Sequence, residues 1–184
     1  MAKLIYAAIA SLDGYIEDVD GKFDWAEPDD EVHAFVNDLV RPVGTYLLGR
    51  RTYEIFAAYW PNAPEEEQVI AEPLNTKPKY VISTTLTAPL EWQNSTLLEG
   101  EVAAGVADLK QGDDGDLHVI GSTQLVRTLI EHGLVDELRL MIDPVVLGGG
   151  KRIFRDDGLL RPLRLVDGQV TGTGAILATY APAA

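Results

Sequence analysis

The chain reads as an α/β protein built on a mostly parallel sheet that ends in an antiparallel hairpin. Three observations carry this. Apolar strand-like runs alternate with helical patterns as far as Gly133. Two of the strands stop at a glycine and turn straight into a helix, at Gly49 and Gly121. The last third of the chain holds β-like runs with no helix between them. Alternation calls for parallel strands with crossover helices on both faces; strands in direct succession call for antiparallel pairing.

Leu4 to Ala10 is a continuous apolar run, the mark of a buried strand, followed by the turn Asp13-Gly14. Pro28-Asp29-Asp30-Glu31 has the proline and acids of a first helical turn, and Val32, Phe35, Val36 and Leu39 recur at helical spacing. Pro42 stops that helix. A strand follows at Thr45–Leu48 and a helix at Arg50–Tyr59, ended by Trp60-Pro61. The next elements are a helix over 64–74, a strand over 80–83, a short edge strand at Leu97-Leu98 and a helix over 102–109. A strand over 117–120 then opens a helix over 122–132 that closes at Gly133. Residues 137–142 are β-like, and 160–167 with 174–180 form the terminal hairpin. No repeat, linker or low-complexity stretch divides the 184 residues, so one domain, 1–184, is expected.

The formal charge of −14 opposes binding of nucleic acid. The absence of cysteine excludes a thiolate metal site, a disulfide framework and a cysteine nucleophile. The histidines, His33, His118 and His132, share no ligand spacing, so no metal site is expected, and surface or partly buried structural roles suit them. Asp18, Asp20 and Asp24 lack the spacing of a calcium loop and read as a solvated acidic turn. The N-terminus lacks the pattern of a signal peptide and no apolar run has the length of a membrane span, which points to a cytoplasmic protein with no membrane partner.

Against that acidic background the basic pairs Arg50-Arg51 and Lys151-Arg152 stand out, each beside a glycine turn. A strand that ends in glycine and opens a helix presents unpaired backbone N–H groups, which attract phosphate. Gly49-Arg50-Arg51-Thr52 adds guanidinium and hydroxyl donors. At Gly121-Ser122-Thr123 either hydroxyl is suited to cap the helix or bond a phosphate. Two such corners suit the two ends of a diphosphate, and a dinucleotide is the natural candidate. Ser83-Thr84 places hydroxyls at another strand end with no acid for a free ribose hydroxyl, which leans towards NADP over NAD. Gly148-Gly149-Gly150-Lys151 is not a P-loop, and Gly172-Thr173-Gly174 precedes β-like sequence instead of a helix. Asp13 suits either a role at the reacting centre or a role in shaping its turn. Glu31, on one helix face with Phe35, suits either a hydrogen bond to a nitrogen heterocycle or stabilisation of the helix start, with Asp30 as competitor.

Six motifs, in order, resemble the dihydrofolate reductase superfamily: Ser11-Leu12-Asp13-Gly14-Tyr15-Ile16, Leu48-Gly49-Arg50-Arg51-Thr52-Tyr53-Glu54, Val81-Ile82-Ser83-Thr84, Val119-Ile120-Gly121-Ser122, Val135-Asp136-Glu137-Leu138 and Pro144 to Lys151. The likeness is nearest to the reductase domain of riboflavin biosynthesis, the RibD C-terminal type, and spans almost the whole chain. It implies a three-layer dihydrofolate-reductase-like fold and an NADPH-dependent oxidoreductase that passes hydride to a small heterocycle. The first reaction implied is that of 5-amino-6-(5-phosphoribosylamino)uracil reductase, with dihydrofolate or pterin reduction, or a non-catalytic nucleotide-binding module, as alternatives. By position, the resemblance implies NADPH contacts from Gly49, Arg50, Arg51, Thr52, Ser83, Thr84, Ile120, Gly121, Ser122, Thr123 and Gln124, with Ile9 and Ile16 at the nicotinamide. It leaves Asp13 and Glu31 as the catalytic candidates and implies a homodimer. The chain departs from the riboflavin enzymes at Ala7 and Tyr15, where they usually carry lysine, and at Ser122, where a second glycine is typical.

Overall fold

A computed structural model of the chain describes residues 1–26, 30–40, 42–112 and 115–183. Its strands are β1 (Leu4–Ser11), β2 (Tyr15–Glu17), β3 (Val43–Gly49), β4 (Lys79–Ile82), β5 (Ser95–Leu97), β6 (Asp116–Ile120), β7 (Glu137–Asp143), β8 (Lys151–Arg152), β9 (Leu163–Val170) and β10 (Ile176–Pro182). Its α-helices are α1 (Asp30–Val40), α2 (Arg50–Tyr59), α3 (Gln68–Thr76), α4 (Val102–Lys110) and α5 (Thr123–Glu131). Eight strands form one sheet in the order β5-β4-β3-β6-β1-β7-β10-β9. Neighbours pair in parallel from β5 across to β7, while β10 is antiparallel to both β7 and β9. The fold is the expected mixed sheet with a C-terminal antiparallel hairpin.

The helices cover both faces. On one side Val106 of α4 and Leu125, Val126 and Leu129 of α5 pack on Leu4, Tyr6, Leu47, Leu117 and Val119. On the other, Tyr53 of α2 and Leu74 of α3 pack on Tyr46, Leu48 and Val81, and Val32 and Leu39 of α1 pack on Met141 and Leu177. Every residue of β3 is buried, which explains its unbroken run Val43-Gly44-Thr45-Tyr46-Leu47-Leu48-Gly49: a central strand with helices on both sides has no solvent face to make polar.

Several boundaries differ from the sequence reading. The expected helix over 64–74 begins with a 3-10 turn at Glu65–Glu67, and the α-helix runs Gln68–Thr76 with Pro73 inside it. The terminal hairpin is shifted towards the C-terminus, because Thr171 N–H bonds to Ala175 O and sets the turn there. Of the proposed helix start, Pro28 and Asp29 lie outside the described residues. A small second sheet was not foreseen: β2 pairs antiparallel with β8. His118 is fully buried at 2% exposure, a correction to its expected surface or partly buried setting, because β6 lies inside the sheet.

Candidate active site

The corners at Gly49 and Gly121 meet. The strands β3 and β6 are parallel neighbours, so both end at the same edge of the sheet. There the backbone of Gly49 lies against Ser122: a methyl group on Gly49 would sit 2.2 Å from Ser122 Oγ and 2.9 Å from its Cβ. A methyl on Gly121 would sit 3.0 Å from Thr52 Oγ1, and Gly121 has φ +63°, a region glycine enters without strain. Glycine is demanded at the first corner by Ser122 and at the second by the left-handed backbone, with Thr52 close against it.

The local sequence leaves both helix starts open. Gly49 is the extended N-cap of α2 and Ser122 the left-handed N-cap of α5, and neither start has a side-chain cap. Helix geometry gives the first amides no partner within the helix. Thr123 is 1% exposed, and its Oγ1 has no hydrogen-bond partner among the described residues. Both helix starts open onto a cleft of about 620 Å³ lined by Gly49, Arg50, Arg51, Thr52, Ser83, Thr84, Gly121, Ser122, Thr123 and Gln124. These ten cofactor candidates are brought together. The donor set of amides, hydroxyls and guanidinium groups fits a diphosphate.

The cleft also contains residues that the sequence reading missed for this role, chiefly Glu17 and Lys151. Arg51 Nη1 is 3.2 Å from Glu17 Oε2, and Lys151 Nζ is 3.3 Å from Glu17 Oε1. Arg50 pairs instead with Glu54 on its own helix, at 3.0 Å, with both side chains about half exposed. Lys151 belongs to the second basic pair of the sequence, and the pairing of β2 with β8 joins it to this cleft. Ser83 Oγ accepts hydrogen bonds from Thr85 N–H (3.1 Å) and Leu86 N–H (3.0 Å) and so shapes its turn while lining the cleft.

The remaining candidates lie elsewhere. Ile9 packs with Phe35 and Val36 on the α1 side, Ile16 belongs to the cluster on the α5 side, and Ile120 packs against the Tyr53 cluster. Asp13 is committed to the backbone opposite: Oδ1 accepts from Ser11 Oγ (2.7 Å) and Leu147 N–H (3.1 Å), and Oδ2 accepts from Gly148 N–H (2.8 Å). The Ser11 hydroxyl and those amides hold its carboxyl below the ordinary range. Glu31 Oε1 accepts from Gly172 N–H at 2.8 Å and Oε2 from Gln169 Nε2 at 2.9 Å, so it ties α1 to the β9–β10 hairpin. Tyr15, at the lysine position, is 8% exposed and lies under the Arg152 guanidinium at 5.0 Å.

The eight-stranded sheet, parallel from β5 to β7 and finished by the antiparallel β10 and β9, with a cleft at the ends of its parallel strands, has the dihydrofolate-reductase-like fold shared by the solved structures it resembles. Within that fold the chain belongs to the RibD C-terminal domain family, whose pattern it matches over residues 2–177. It is 31% identical over 181 residues to "Uncharacterized protein YyaP" of Bacillus subtilis (strain 168), covering 97% of this chain and 94% of that protein. Among solved structures it resembles a candidate riboflavin biosynthesis protein from Shewanella sp. PV-4, at 25% identity and TM-score 0.78 with full coverage of both chains. It also resembles dihydrofolate reductase from Enterococcus faecalis complexed with NADP(H), at 16% identity and TM-score 0.65, over 99% of this chain and 97% of that one. The last of these shows likeness of fold alone.

Proposed function

We propose that the protein is an NADPH-dependent reductase that delivers hydride to a small nitrogen heterocycle, of the 5-amino-6-(5-phosphoribosylamino)uracil reductase type. The observation that carries this reading is the contact between Gly49 and Ser122, which merges two uncapped helix starts into one anion cleft in a chain of net charge −14. Family membership supports a reductase. The amides at the start of α5 would hold one phosphate of the diphosphate. Gly49 and Thr52 would take the other, with Arg50 and Arg51 towards the 2′-phosphate. Bound NADPH would supply the hydride; the protein aligns it and excludes water. Asp13 is a positioning residue in this scheme, since its oxygens hold the 147–148 backbone over the end of β1.

The same reading includes a homodimer. The sheet is uncovered at its last two strands on the α5 side. Leu163 pairs with Pro182, Leu165 with Tyr180 and Val170 with Ile176, so Leu163, Leu165, Val170 and Ile176 share one face. All four are exposed, at 39%, 59%, 69% and 39%. An exposed apolar face of this kind suits a second copy of the chain related by a two-fold axis.

The test is a titration with NADPH and NADH followed by tryptophan fluorescence, then oxidation assays with pyrimidine and pterin substrates. The expected result is saturable binding that favours NADPH, with Arg50→Ala and Arg51→Ala losses falling mainly on NADPH. Absence of binding to either nucleotide refutes the reading.

A further inference from the structure

The phosphate cleft carries an anion of its own. Glu17 ends β2, and its carboxylate is shared between Arg51 (3.2 Å) and Lys151 (3.3 Å), cations from two different elements that line the same cleft. The Glu17 side chain is 19% exposed, and its two partners are 57% and 34% exposed. Its backbone lies close against the loop that carries Lys151. Gly150, at φ +123°, has no room for a methyl group because Glu17 O would lie 2.0 Å from it. A methyl on Gly21 would sit 3.3 Å from Arg51 Nη2 and 3.8 Å from Glu17 Oε2, so the turn after β2 closes over the pair.

We infer that Glu17 is an internal competitor for the cleft's anion: it occupies Arg51 and Lys151 until a phosphate of higher charge displaces it, and so sets how strongly the cleft discriminates among anions. The inference rests on the cofactor reading above for the identity of the natural ligand, but not for the anion site. A carboxylate carries one negative charge and two acceptor oxygens, whereas a phosphate monoester near neutral pH carries ≈ −1.5 to −2 and three acceptor oxygens, so the exchange favours the phosphate. With Glu17 in place the three side chains sum to a single positive charge, and weakly charged anions gain little by entering. Nothing in the arrangement assigns Glu17 to the chemistry of hydride transfer.

Glu17→Gln is nearly isosteric and removes only the charge. The two probes are NADPH, followed by tryptophan fluorescence, and inorganic pyrophosphate, followed by thermal stabilisation. For E17Q, affinity for both should rise about two- to fivefold, the size of one partly exposed ion pair, with a steeper dependence on salt. Arg51→Gln should weaken both. If Glu17 served only to hold β2 against α2, E17Q would bind both probes more weakly or equally, and the inference is overturned. If wild type binds pyrophosphate but not NADPH, the cofactor reading fails while the inference is still decided by the pyrophosphate arm. If neither variant binds pyrophosphate, the inference falls whatever NADPH does. Should E17Q unfold, as judged by circular dichroism, Glu17→Asp takes its place. The shortened carboxylate loosens the bridge without removing charge, and a gain in pyrophosphate affinity is again required.

Discussion

Gly49 and Ser122 compete for one volume: a β-carbon on the first would stand 2.9 Å from the β-carbon of the second. Ser122 is also one of two described non-glycine residues with positive φ, at +41°. The junction of β3–α2 with β6–α5 is thus tight on one side and strained on the other, as functional corners often are.

Gly49→Ala should destabilise the protein by about 1–3 kcal/mol, as overpacking of a close site does, and should abolish NADPH binding. Ser122→Gly should stabilise it by about 1 kcal/mol through relief of the left-handed backbone, offset in part by the greater freedom of glycine when unfolded. The double variant should be more stable than the sum of the single effects gives, because removing Ser122 Cβ and Oγ makes room for the new methyl. Urea unfolding of the four proteins measures this; strict additivity would mean that the two residues do not share the space.

Asp13→Asn should lower the melting temperature and raise proteolysis within 145–150, because an amide nitrogen has no lone pair for the Gly148 N–H. Its folded carboxyl lies below the ordinary value, so the stability it provides is present above the unfolded value and is lost as pH falls through the folded one. An acid–base role predicts something else: activity loss at unchanged melting temperature, with one limb of the pH–rate profile flattened.

The corners were legible in the sequence because their chemistry is local. A strand that ends in glycine, followed by Arg-Arg-Thr or Ser-Thr, needs no tertiary knowledge to be read as an uncapped helix start. Their meeting followed once the two strands were expected in one parallel sheet. What stayed hidden is non-local. Glu17 enters the cleft because β2 pairs with β8, whose residues are 134 positions away at Lys151. Asp13 is spent on Gly148 for a similar reason, at a separation of 135. His118 looked ordinary because its burial depends on which strands flank β6, and nothing in Leu117-His118-Val119 states that.

The uncovered face of the hairpin gives a prediction independent of the cofactor. Leu165→Glu together with Val170→Glu should yield a monomer by sedimentation at micromolar concentration while leaving the circular dichroism spectrum unchanged, since both side chains are already exposed, at 59% and 69%. A protein that is monomeric before substitution, or a dimer that survives it, rules this face out as the interface.

His118 should make the fold sensitive to acid. Its imidazole is buried in β6, and burial, reinforced by the nearby Arg139 charge, pushes it down to about 4, while Asp116 and Glu137 pull weakly the other way. The Nε2 has no partner among the described residues, so no hydrogen bond rewards a proton there. The unfolded chain, with its histidine near 6.5, binds more protons than the folded chain between those two values. Stability is therefore fully present above about pH 6.5 and is lost as pH falls towards 4, by on the order of 3 kcal/mol for this one group. In His118→Leu that slope should disappear, although packing changes shift the whole curve. Urea midpoints of both proteins at pH 7.5 and pH 5 decide the matter: wild type should lose markedly more than the variant on acidification, and equal losses would place the acid sensitivity in other groups.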